Sequence, residues 1–254
     1  TSVTSTKSSS PNMLSVDAQQ CISQYTLNAP ANPSSYPCSS CLPILQSLSS
    51  DLSSAGGSDA QAVVNAIQFC GLKGIYDSST STAQTALQNQ GWLKDTRFCA
   101  WNSVTCDGTG RVASLQLTFP SVPSLLPNEL GALAGLQNLS VIGNNAMPAG
   151  SLPASFTNLT SLTTIHLEST ALSSLPDSLF TNITKLSTLA LINNAQMGNQ
   201  LPSSIRKLSL QSLIVNGQPL NNPLQSFAFS SSLTSSLQLL DLSSTNLTAT
   251  IPQA

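Results

Sequence analysis

Few residues in this chain could do acid–base or nucleophilic chemistry. Its 254 residues include one histidine, His166, and only two glutamates, Glu129 and Glu168. Glu168 follows His166 by two positions, the spacing that puts two side chains on the same face of a β-strand. A Ser–His–acid hydrolase needs its three groups in hydrogen-bond contact beside an oxyanion hole, and nothing here marks a nucleophile elbow. Sugar hydrolysis needs two carboxyl groups about 5–10 Å apart, and no two acids are expected that close on one face. The expectation is a protein that is not an enzyme.

Cysteine chemistry points to structure. Cys38-Ser-Ser-Cys41 has the spacing of half a zinc site, but a closed site wants a second matching pair. Cys21 and Cys70 do not form one. These four are expected to make two disulfides, and the three possible pairings stay open. Cys99 and Cys106 complete an even set of six. Four Asn-x-Ser/Thr acceptors, at Asn138, Asn158, Asn182 and Asn246, accompany them. An even cysteine count with N-glycan acceptors fits an oxidising, extracellular setting. Asp107-Gly108-Thr109-Gly110 reads as a hairpin turn, not a cation or phosphate loop. Neither metal nor other cofactor is expected.

Composition narrows the partners. Only 7% of residues are charged, eight basic and ten acidic, for a net charge of −2. Eight scattered bases cannot build a patch that neutralises nucleic-acid phosphates. No apolar run reaches the about 18 residues a transmembrane helix needs. Ser and Thr number 68 and carry most of the polarity. The first residue is Thr1 rather than Met, which fits a removed leader or a partial chain.

Leucine divides the chain. Residues 1–111 contain 9 leucines and residues 112–254 contain 30, while all six cysteines precede that boundary. Residues 1–16 form a Ser/Thr-rich tail, open to O-linked sugars or to pairing as an added strand. Residues 17–81 read as a small helical, cysteine-rich module. Helices are expected from Asp17 to Tyr25, along the face Leu42/Leu45/Leu48/Leu52, and from Ser58 or Asp59 to a stop at Cys70-Gly71. Another, from about Thr82 to Asn89, starts on a Ser81/Gln84 capping box and stops at Gly91.

From Val112 a pattern repeats. Six frames begin at Val112, Leu136, Leu162, Leu186, Leu210 and Leu237, spaced 24, 26, 24, 24 and 27 residues apart. Positions one, four and six are apolar in every frame. Position nine is Asn144 and Asn194 in two frames and Pro120, Thr170, Gln218 and Thr245 in the others. Leu152-Pro153, Leu175-Pro176, Leu201-Pro202 and Ile251-Pro252 add a second signal. A period of 20–29 residues with this leucine pattern signifies a solenoid whose coils bury their leucines only by stacking. The alternate side chains face a concave surface. That surface carries Gln116, Ile142, His166, Glu168, Ile192, Ile214, Asn216 and Asp241 as candidate contacts. Ile142, Ile192 and Ile214 are expected to form an apolar strip. Asn138 also lies there, where a glycan would obstruct a partner. Asn158 and Asn182 are expected on turns leading back to the strands.

The repeats with their Leu-Pro elements resemble the plant-type leucine-rich-repeat family. So does the segment ahead of them: Gly91-Trp92, then Cys99-Ala-Trp101-Asn-Ser-Val-Thr-Cys106-Asp107, then Gly110-Arg111-Val112. Residues 82–111 look like that family's N-terminal cap, ahead of six repeats over residues 112–254. The resemblance implies an α/β solenoid, a right-handed superhelix with a parallel concave sheet, preceded here by the disulfide-stapled helical module. It also implies a Cys99–Cys106 bridge and a buried Trp101 against the first coil. The family commonly closes with a cysteine-bearing cap, whereas this chain stops inside a repeat at Ala254, so either the chain continues or something covers that end. The functional expectation is an extracellular glycoprotein that binds a protein partner. The alternative is a structural subunit that stacks with copies of itself, through the open solenoid end and the tail, into a fibre or surface layer.

Overall fold

A computed structural model describes residues 14–52, 58–220 and 235–246. The expectations for residues 1–13, for the Ala55-Gly56-Gly57 break and for Ile251-Pro252 lie outside the described residues.

Four helices come first. They are α1 (Val16–Ser23, continued by a π turn over Gln24–Asn28), α2 (Cys38–Leu52), α3 (Ser58–Asp77) and α4 (Ser81–Asn89). The Ser15 hydroxyl caps α1 by accepting from the Ala18 amide. Cys21 bridges to Cys41 and ties α1 to α2, while Cys38 bridges to Cys70 and ties α2 to α3. Tyr36 packs edge to face on both Tyr25 and Phe69, and Tyr25 lies tilted against Phe69. The Tyr36 hydroxyl donates to the Cys21 carbonyl, and burial pushes its pKa up to about 12.

Helix α3 corrects the sequence reading. It does not stop at Cys70-Gly71 but runs on to Asp77. Gly71 and Gly74 lie against the first coil. A Cβ on Gly71 would stand 2.8 Å from Leu133 Cδ2, and one on Gly74 would stand 2.5 Å from Glu129 Cβ. These glycines permit close approach and do not end the helix. The capping box also differs. Thr80, not Ser81, caps α4 by accepting from the Ala83 amide, and Gln84 turns to the Tyr76 carbonyl instead of back toward the cap. Gly91, at φ +95°, carries the chain away from α4.

Next comes the hairpin of β1 (Val104–Cys106) and β2 (Val112–Thr118), antiparallel and closed by the Cys99–Cys106 bridge. Asp107 shapes its turn: Oδ1 accepts from the Thr109 amide and hydroxyl and from the Arg111 amide. Trp101 is buried at ring-centroid distances of 5.1 Å from Trp92 and 6.0 Å from Phe69.

The coils follow. Strands β3 (Asn138–Ile142), β5 (Thr164–Glu168), β7 (Thr188–Ile192), β8 (Ser212–Asn216) and β9 (Leu239–Asp241) extend β2 as a parallel sheet in the order β1-β2-β3-β5-β7-β8-β9. Two short strands, β4 (Ala149–Gly150) and β6 (Ala171–Leu172), pair separately. Each of Pro153, Pro176 and Pro202 leads into a short 3-10 turn on the outer side, over Ala154–Asn158, Leu179–Thr181 and Ser203–Lys207. Proline suits that entry because its missing N–H would have no helical partner there.

The leucines of positions one, four and six fill the interior. Leu139, Leu167, Leu189 and Leu213 are each no more than 1% exposed. Asn194, fully buried at position nine, holds two coils together. Its Oδ1 accepts from the Thr170 amide and hydroxyl, and its Nδ2 donates to the Leu167 carbonyl. Asn144, its sequence counterpart, is exposed and bonds only within its own turn, to the amides of Ala146 and Met147. The last described coil is looser: Leu240, an interior position by pattern, remains 43% exposed.

Module and coils share one continuous hydrophobic cluster, from Cys21 to Leu220. At their junction the buried Gln68 of α3 accepts from the Val112 amide at 2.6 Å and reaches the Gly110 carbonyl with Nε2 at 3.4 Å. The helical module thereby holds the start of β2.

Candidate functional site

Parallel register sets the chemistry of the concave face. Partners across the strands fall into three rows. The first is Ser114, Asn138, Thr164, Thr188, Ser212 and Leu239. The second is Gln116, Ser140, His166, Ala190, Ile214 and Asp241. The third is Thr118, Ile142, Glu168, Ile192 and Asn216. Hydroxyls and amides dominate, and no Lys or Arg occupies any of these positions.

His166 sits centrally. Its Nε2 lies 3.0 Å from Glu168 Oε2, and its Nδ1 lies 3.5 Å from Ser140 Oγ. A neutral imidazole protonated at Nε2 satisfies both contacts, donating to the carboxylate and accepting from the hydroxyl. His166 and Glu168 keep 29% and 33% of their side-chain surface exposed. This Ser140–His166–Glu168 line is the contact that spacing alone did not reveal. The frames could have exposed it, because they place Ser140 and His166 at the same position of successive coils.

The line is not a hydrolytic site. Strand β3 is bonded along both edges, to β2 and to β5. No pair of neighbouring amides beside Ser140 is left to stabilise an oxyanion. The arrangement is non-catalytic; its effect is to fix Glu168. Among the described residues, no three His, Cys, Asp or Glu groups cluster as metal ligands.

The isoleucines require a correction. Ile142 and Ile192 lie in the third row with Glu168 directly between them, while Ile214 lies in the second row. The surface is therefore not a continuous apolar strip but a carboxylate flanked by two half-buried isoleucines. Gln116 stands exposed at the β2 end. At the other end, hydrogen bonds from Ser243 and Asn216 hold the Asp241 carboxyl below the usual range. Three strand spacings separate Asp241 from the His166–Glu168 pair.

The acceptor asparagines are all accessible. Asn138 opens β3 and lies in the first row, Asn158 ends one outer turn, Asn182 follows another, and Asn246 follows β9.

These coils match known proteins. The Arabidopsis thaliana receptor-like kinase TMK2 is 28% identical over 156 residues, which is 61% of this chain and 17% of TMK2. The crystal structure of the Arabidopsis receptor kinase HAESA, in complex with the peptide hormone IDA and the co-receptor SERK1, superposes with a TM-score of 0.53 at 25% identity. That match covers 72% of this chain and 30% of the HAESA chain. The HAESA ectodomain with an N-terminally extended IDA peptide gives a TM-score of 0.52 over 72% of this chain and 29% of that one, again at 25% identity. The chain is a plant leucine-rich-repeat ectodomain-like protein. No protein-family model matches it. The chain spans less than a third of the length of either relative. Its helical, disulfide-bonded N-terminal region precedes an ectodomain-like solenoid.

Proposed function

We propose that this chain is an extracellular binding module whose concave face holds a polypeptide partner. The observation that carries the reading is the sheet itself. Six strands hold three rows of side chains in register, with half-buried isoleucines beside hydrogen-bonding groups and no described residue covering them. Such a face offers apolar contact and directional polar contact together, as binding surfaces do. The peptide hormone in the HAESA complex is consistent with that use of the fold. Three disulfides fit an oxidising compartment, and the accessible Asn138, Asn158, Asn182 and Asn246 are the positions proposed for N-glycans. Among the described residues, no helix is long and apolar enough to cross a membrane. The stacking alternative draws on the tail 1–16 and the solenoid end; residues 1–13 and 247–254 lie outside the described residues, and Ser15 and Val16 belong to the start of α1.

The test is selection of decapeptides from a random display library on the full chain, followed by rebinding to Ala190→Trp. Ala190 lies in the second row between His166 and Ile214, so an indole there obstructs the middle of the face. Selected peptides should bind the variant at least about ten-fold more weakly, a loss of about 1.4 kcal/mol. Unchanged binding would remove the concave face from the reading. Enzymatic N-glycan removal from chain secreted by eukaryotic cells should lower its mass; an unchanged mass would remove the glycans.

A further inference from the structure

The concave face has a charge character that its shape alone does not set. Its ionisable groups are Glu168, Asp241 and His166, and no Lys or Arg stands in any of its three rows. The described basic residues lie elsewhere: Lys73 on α3, Lys94 and Arg97 before β1, Arg111 before β2, Lys185 before β7, and Arg206 and Lys207 on an outer turn. The face is therefore acidic, although the whole chain is nearly neutral.

Glu168 is built to meet a cation. One carboxylate oxygen is tied to His166, which restricts the side chain to one orientation before any partner arrives. Ile142 and Ile192 flank it in the same row. A long basic side chain can lay its methylenes along such isoleucines while its charged head reaches the carboxylate. A half-buried carboxylate between apolar neighbours is also screened less by salt than an open one.

Asp241 supplies the second point. It lies three strands further on and one row back, opposite Ile214. With strands about 4.8 Å apart and a rise of about 3.3 Å per residue, the two backbone positions stand roughly 16 Å apart along the sheet. Side chains of an extended chain alternate faces, so positions four apart, about 13 Å along the chain, present two long basic side chains to one surface within reach of both carboxylates.

We infer that the concave face selects an extended polypeptide bearing two basic side chains about four residues apart, one seated at Glu168 between Ile142 and Ile192 and the other at Asp241. This rests on the binding reading above and adds the charge and spacing of the partner. Acidic and neutral segments bind less well because nothing on the face neutralises an incoming carboxylate and nothing replaces the hydration of Glu168.

The experiment uses three synthetic decapeptides on the full chain, identical except at two positions four residues apart, which hold Arg, Gln or Glu. The Arg peptide should bind at least about ten-fold more tightly than the Gln peptide, and the Glu peptide least. Glu168→Gln, which keeps the shape and the contact to His166, should remove about ten-fold of the Arg peptide's affinity and leave the Gln peptide unchanged. Asp241→Asn should remove a smaller factor, and Asp95→Asn, in the remote Asp95–Arg97 pair, none. Equal binding of the three peptides, or an undiminished Arg peptide on both Glu168→Gln and Asp241→Asn, overturns the inference. Should Glu168→Gln melt early, Asp241→Asn and the salt dependence of Arg-peptide binding decide in its place. Library peptides that Ala190→Trp blocks but that show no Lys or Arg enrichment leave the binding face standing and defeat only its charge selectivity. Library peptides indifferent to Ala190→Trp defeat both.

Discussion

The helical module and the repeat coils are held together in opposite ways. In the module, restraints join residues far apart in sequence: Cys38 to Cys70 across 32 residues, and Tyr25 and Tyr36 onto Phe69. In the coils, each restraint joins one turn to the next at a constant offset, as Leu139, Ile165, Leu189 and Leu213 do across the sheet. The module uses its apolar faces on its own core and on the first coil. The coils from β2 to β8 bury one side of each strand and leave most of the other side at least partly exposed. The difference frames the proposal: the module holds the start of β2, and the coils repeat the surface proposed to meet a partner.

The largest expected effect sits in the coils. Leu189→Ala removes a fully buried side chain from the middle of the stack and should cost about 4 kcal/mol. Because coils depend on their neighbours, both adjacent coils should lose hydrogen-exchange protection while α1–α3 keep theirs. Uniform loss across the chain would mean that the two regions are not distinct in this way.

Next comes the module's cross-link. Cys38→Ser with Cys70→Ser should cost about 3.7 kcal/mol in chemical denaturation, the value expected for a loop of this length. The converse pattern is predicted, with the helices losing protection first. Smaller again is the junction. Gly74→Leu forces a side chain into Glu129 and should cost about 2 kcal/mol, splitting one calorimetric transition into two. A single unsplit transition would show that the module and the coils stay coupled without that close approach.

The smallest effect is acid sensitivity at the hairpin that joins the regions. Hydrogen bonds from the Thr109 hydroxyl and from the Arg111 and Thr109 amides hold the Asp107 carboxyl below its ordinary range. A folded value below the unfolded one, about 3.9, gives stability that is present above the unfolded value and is lost as pH falls through the folded one. The Thr109 amide resonance should therefore titrate with a midpoint below about 3.9. A midpoint at or above that value would remove the carboxylate from the turn.

What was legible in the sequence follows the same division. The strand register could be read because identical positions recur coil after coil, so Leu115, Leu139, Ile165 and Leu189 announce themselves by spacing. The end of α3 could not. Gly71 carries a stop signal locally, and only Leu133, far along the chain, shows that the glycine serves close packing. The cap of α4 was misplaced by one residue because Gln84 had a competing acceptor at Tyr76. The bridges of Cys21 and Cys38 depended on how α1, α2 and α3 dock, which no local pattern states. At the concave face the residue types were legible and their grouping was not. Glu168 between Ile142 and Ile192 is a product of register, as is Ser140 beside His166.

The most direct test maps where a basic peptide lands. Amide resonances of the isotope-labelled full chain would be followed while the Arg decapeptide is added. The predicted shifts fall at Ser140, Ile142, His166, Glu168, Ala190, Ile192 and Ile214, with those of α1–α4 and the outer turns unmoved. Shifts confined to the helices or the outer turns, or none at saturating peptide, would contradict the concave face as the docking surface.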